Sequence, residues 1–173
     1  MSGQNLVILR DGVPARDADP ANEPRKDFEL IRQQADARYV SSADLKSSTA
    51  RYVAGNSHAM QAAFAAHSLR QGAQSMFATG EDIAFRLLPL LQFSGWKGEL
   101  SAVIHASHSP KWQLAARVLG TRNVGAWFTV ATMQRDLLIE KAGLPASKVK
   151  FLCDSVDAAF FDPAKAADAA EGD

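Results

Sequence analysis

The chain has 173 residues, 47% hydrophobic and 22% charged, a composition that builds one globular domain able to bury about 70% of its unfolded surface. Its 19 basic and 19 acidic residues cancel without a like-charge block, so no long-range field is expected to draw it to nucleic acid or to an anionic membrane. A single cysteine, Cys153, excludes an intramolecular disulfide, argues against a thiolate metal cluster and fits a reducing, cytoplasmic setting.

Residues 6–9 form a compact apolar run of the kind that makes a buried parallel strand. Arg10 and Asp11 follow at once, which leaves the run too short for a signal-peptide core or a bilayer span, so the mature chain is expected to be the whole chain. Residues 11–26 hold Gly12, Pro14, Pro20 and Pro24 among charges and read as a long loop. Asp27 caps a helix to about residue 35, and residues 37–41 offer a second strand. Residues 44–56 are polar and have no clear period. Ser57 caps a helix to about residue 71, on which Met60, Ala63, Phe64 and His67 have the spacing of one buried face. Residues 75–78 are the third strand. Ile83, Leu87, Leu90 and Leu91 then mark a helix that Pro89 is expected to kink, before Gly95 and Gly98 break the chain.

The fourth strand covers residues 100–105. Ser109-Pro110 begins the next helix with a hydroxyl cap and a proline at its first position. Trp112, Ala115, Ala116 and Leu119 form its core stripe, and Gly120 ends it. A fifth strand near residues 126–130 leads to a helix over residues 134–142, capped by Thr132 and stopped by Gly143 and Pro145. The sixth strand covers residues 149–153, and the Ala- and Asp-rich residues 164–173 read as a frayed tail or linker remnant. This alternation predicts an α/β class: a three-layer Rossmann-like domain over residues 1–163, with a mostly parallel sheet of about six strands and helices on both faces.

In open parallel sheets ligands bind outside the carboxyl ends of the strands, so the loops that follow strands are where chemistry is sought. After the first strand, Gly12 either lets backbone approach a ligand or is a plain turn glycine. After the third comes Thr79-Gly80-Glu81-Asp82, in which Thr79 and Asp82 have the spacing of a capping box. Free N–H groups at such a helix start bind anions or sugar hydroxyls, and the two carboxylates favour hydroxyls over phosphate. Glu81 is therefore a candidate for proton transfer, and Thr79, Gly80 and Asp82 are candidates for binding. After the fourth strand stand His105 and His108. With only His58 and His67 elsewhere, no metal site is expected. The plainer alternative for either histidine is a backbone bond at a strand end. Thr132, after the fifth strand, is a helix cap to which a ligand contact would be an addition. Asp154 and Asp157 read as turn formers, Cys153 as an inert buried thiol, and Trp96, Trp112 and Trp127 as core or edge residues. The chain lacks G-x-G-x-x-G after the first strand, G-x-x-x-x-G-K-[ST], G-x-S-x-G and H-E-x-x-H, and no cofactor is expected.

Residues 124–163 run strand, helix, tight turn and short strand, then Asp154-Ser155-Val156-Asp157 and Phe160-Phe161-Asp162-Pro163. This block resembles the end of the N-terminal domain in GT-B glycosyltransferases, retaining enzymes that move a sugar from a nucleotide donor. There the strand leads into Asn-Gly-Val-Asp and Phe-Phe-x-Pro, so Asp154 and Ser155 depart from the commonest pattern. The likeness is strongest over the last third of the chain. It implies a sugar acceptor and a nucleotide-sugar donor, a glycine loop at Gly12 near both, and His105 or His108 in the cleft beside the reacting sugar.

The family's second domain, which holds the donor and carries a Glu-x7-Glu pair, would begin after Pro163. The resemblance therefore implies the acceptor-side half of a hexosyltransferase, incomplete alone and completed by a donor-binding partner chain or a homo-oligomer. Two other readings stand beside it. One is a non-catalytic Rossmann-like binding or interaction module, whose docking face would need a partner. The other is a small flavodoxin-like enzyme using Glu81 or His105.

Overall fold

The computed structural model describes residues 3–10 and 27–152. Gly12, Cys153, Asp154, Asp157, the Phe160-Phe161-Asp162-Pro163 motif and the boundary at residue 163 lie outside the described residues. All six expected strands are present: β1 Gln4–Ile8, β2 Ala37–Val40, β3 Ala73–Ala78, β4 Glu99–Ile104, β5 Val124–Thr129 and β6 Val149–Phe151. They form one parallel sheet in the order β2-β1-β3-β4-β5-β6. The helices are α1 Asp27–Gln34, α2 Ser48–Ala54, α3 His58–Ser68, α4 Glu81–Phe93, α5 Pro110–Leu119 and α6 Thr132–Glu140.

The strand order decides which face each helix covers. The chain steps one way from β1 to β2, crosses back to β3 and then moves steadily outward, and crossovers in such sheets are right-handed. Hence α1 packs alone among the described helices on one face, where Ile31 and Ala35 meet Val7, Leu9 and Ala37. The main core lies on the other face, where α3 to α6 cover Ile8, Met76, Leu100, Ile104 and Trp127. Helices on both faces were expected; the concentration of the core on one of them follows from strand order.

Several local expectations are corrected. On α3 the deeply buried residues are Ala59, Ala62, Ala63, Ala65 and Ala66, while Met60, Phe64 and His67 are only half-buried. Small side chains let α3 approach α4 and the sheet closely, so the alanine face wins the deep position over the bulkier one. Residues 44–56, which show no clear sequence period, do form regular elements. A short 3-10 turn, Ser42–Asp44, is held by a capping box between Ser41 and Asp44, and α2 is capped by Ser47. α4 stays helical through Pro89 to Phe93, with the proline inside it as expected.

A bulge in β5 sets the aromatic core. Leu100 pairs with Val124 and Ala102 with Trp127, so Gly125 and Ala126 together stand opposite Ser101. The Ser101 hydroxyl accepts the Ala126 N–H at 3.2 Å, which satisfies a donor the ladder would otherwise lose. The extra residue turns Val124 and Trp127 to the same face, against simple alternation. Trp127 is then fully buried, stacks on Phe85 at 5.1 Å and donates from Nε1 to the Gly120 carbonyl at 2.9 Å. Trp96 is buried as well, and its Nε1 donates to the Ala73 carbonyl at 3.0 Å.

Candidate functional site

The carboxyl ends of β1, β3, β4 and β5 meet at one edge, with the crossover reversal between β1 and β3. Thr79 closes that reversal. Its backbone N–H and its hydroxyl both donate to the Ile8 carbonyl, each at 3.1 Å. This overturns the expected capping box: with the Thr79 hydroxyl engaged on β1, Gly80 becomes the N-cap of α4 and makes no side-chain bond. Asp82 instead accepts the next N–H, that of Ile83, at 3.0 Å.

Glu81, the first residue of α4, reaches across to β4, where its Oε2 accepts the His105 N–H at 3.0 Å. From the other side, Gln134 on α6 donates from Nε2 to the His105 carbonyl at 2.8 Å and accepts the Val130 N–H at 3.2 Å. Both backbone groups of His105 are thus held by side chains from neighbouring helices, while its imidazole stays exposed. Glu81 and Asp82 are half-buried.

Two further residues complete this edge. Ser107 is 0% exposed, and among the described residues its hydroxyl has no hydrogen-bond partner, although its carbonyl accepts from Gln113 at 2.9 Å. Ser109 is the N-cap of α5 but does not cap it through its hydroxyl. Its carbonyl takes the N–H groups of Trp112 and Gln113, and Pro110 has none to offer. Likewise Thr132 is the first residue of α6 rather than its cap, which is Ala131, and it is exposed. The three helices that begin directly at strand ends, α4, α5 and α6, therefore all lack a side-chain cap, whereas Ser47 and Ser57 cap α2 and α3.

Thr79, Gly80, Glu81, Asp82 and His105 are thus grouped by direct bonds or chain adjacency, with His108 exposed in the adjoining loop and Thr132 at the start of α6. Gln134 and Ser107 were not anticipated. The signal for Gln134 was a donor–acceptor side chain in the first turn of a helix launched from a strand end; for Ser107 there was none beyond its place between the two histidines. Among the described residues no three His, Cys, Asp or Glu side chains cluster as metal ligands would. A depression of about 510 Å³ lined by Arg70, Gln74, Trp96 and Lys97 lies at the opposite edge, before β3 and β4, away from these groups.

No protein-family model, curated protein or solved structure matches this chain. What the fold and the edge define is a class: a Rossmann-like α/β domain with a six-stranded parallel sheet and a polar edge at its strand ends.

Proposed function

We propose that this chain is the acceptor-side half of a nucleotide-sugar-dependent glycosyltransferase of GT-B type, working with a donor-binding partner. The observation that carries the reading is the clamp on His105, whose backbone is held by Glu81 and Gln134 while its imidazole is free at the rim. An exposed imidazole carried on a held backbone, beside uncapped helix starts, suits recognition of sugar hydroxyls, which offer both donors and acceptors. In this reading His105 touches the sugar and Glu81 acts as a positioning residue, its carboxylate being engaged on the backbone. The acceptor hydroxyl oxygen bonds to the anomeric carbon as the bond to the nucleotide diphosphate breaks, its proton passing to the departing diphosphate, which the partner mainly holds.

The test is a thermal-shift panel with sugars, nucleotide sugars and free nucleoside diphosphates, since a ligand that binds only the native state must raise Tm. A saturable shift with a sugar or nucleotide sugar, lost in His105→Ala, is expected. No shift with any compound would sink the reading.

One observation favours a second reading, a non-catalytic interaction module. Phe77 and Phe128, both half-buried and 6.1 Å apart between ring centroids, lie on the sheet face that α1 alone covers among the described helices. In that case the chain would self-associate in light scattering and ignore the sugar panel.

A further inference from the structure

A different surface, independent of the sugar reading, carries its own function. The inner side of α5 packs on the core through Ala116, with Trp112 and Leu119 half-buried against it. Its outer side is not the polar surface that a water-facing helix normally presents. Leu114 is 62% exposed and Val118, one turn on, 69%. Phe93, 92% exposed, ends α4, and its neighbour Gln92 donates to the carbonyls of Leu119 at 3.1 Å and Arg122 at 3.0 Å, which brings this end of α4 against the end of α5.

With 3.6 residues per turn, Lys111 and Arg117 project on either side of Leu114. Lys111 leans over the Trp112 ring at 4.4 Å, and Arg117 donates to the Lys141 carbonyl at 2.8 Å. The result is an apolar ridge between two cations, with Arg122 beyond. Residues 100–135, which include all of α5, hold Lys111, Arg117, Arg122 and Arg135 and no Asp or Glu. Glu99 lies beside Gly125 on the sheet, and Asp136 pairs with Arg135 at 3.0 Å. The zero net charge of the whole chain conceals this local excess.

We propose that the outer face of α5, with Phe93, docks peripherally on an anionic lipid surface. Phe93, Leu114 and Val118 enter the headgroup layer while Lys111, Arg117 and Arg122 meet lipid phosphates, the division of labour of an interfacial helix. Charge complementarity selects this occupant. A second copy docking through the same face would set these cations against their own counterparts. No helix among the described residues is long and apolar enough to cross a membrane, so attachment through this face is to the surface.

The experiment is co-sedimentation of the purified chain with vesicles of mixed phosphatidylglycerol and phosphatidylcholine, beside pure phosphatidylcholine. Binding is expected to the anionic vesicles only and to weaken as salt rises. Lys111→Ser and Arg117→Ser should each lower affinity about fivefold. Leu114→Ser with Val118→Ser should lower it further, with Tm unchanged because both positions are exposed. His105→Ala should bind vesicles as the parent chain does, which separates this surface from the sugar site. The proposal is overturned if anionic vesicles leave the chain in the supernatant, or if the α5 variants sediment like the parent. A lipid-free dimer abolished by Leu114→Ser would overturn it too, by assigning the face to a second copy.

Discussion

The carboxylate of Glu81 accepts the backbone N–H of His105 at 3.0 Å, tying the first turn of α4 to the end of β4. Glu81→Ala leaves that N–H to water and loosens the loop that presents the imidazole. Because the bond is partly exposed, the expected loss is about 1 kcal/mol, or roughly 2–4 °C in Tm for a chain of this size. Glu81→Gln keeps an acceptor and should lose less. Faster hydrogen exchange at the His105 amide in the alanine variant, but not in the glutamine one, is the measurement; equal exchange in both would refute the clamp.

Trp127 fills the centre of the main core, between Phe85 and the sheet. Trp127→Ala should destabilise by about 3–5 kcal/mol through the cavity it leaves. Trp127→Phe keeps most of the volume but abandons the Gly120 carbonyl, for an intermediate loss in urea unfolding.

His67 stands half-buried on α3, and its Nε2 has no partner among the described residues. Burial first, then the charge of Arg70, holds its pKa below the ordinary 6.5, while a backbone bond at Leu90 opposes them. The unfolded chain therefore takes up the proton more readily than the folded one, so stability rises with pH across the interval between the two values. The full contribution is present above about 6.5 and is lost as pH falls from there through the lowered folded value. Replacing His67 with Gln should flatten this part of the pH–stability curve; an unchanged slope would contradict it.

Ser107 presents the opposite case, a buried hydroxyl without a partner among the described residues. Removing an unsatisfied polar group relieves its desolvation, so Ser107→Ala should leave stability unchanged or raise it by roughly 1 kcal/mol. A clear loss in thermal unfolding would mean that the hydroxyl is bonded in solution.

The strands were the most legible part of the chain. Each strand of a parallel sheet covered by helices is a near-continuous apolar run, and residues 6–9, 75–78 and 100–105 locate theirs to within a few positions. The helix starts at Ser57 and at Ser109-Pro110 were also readable, the first from its serine cap and the second from its proline, because that chemistry is local. What local pattern could not supply was partner choice. The spacing of Thr79 and Asp82 read as a capping box, and only the placement of β1 beside β3 turned the Thr79 hydroxyl to the Ile8 carbonyl instead.

The same division runs through the whole protein. Composition and periodicity determined the class, an alternating α/β chain with a parallel sheet, since burial of apolar runs and the hand of the crossovers leave few other arrangements. Only the tertiary structure decided that the bulge opposite Ser101 turns Trp127 inward, that alanines form the buried face of α3, and that Glu81 and Gln134 converge on His105. Those outcomes depend on contacts between residues far apart in the chain. Their energies are set by geometry across neighbouring strands and helices, and a one-dimensional pattern does not contain it.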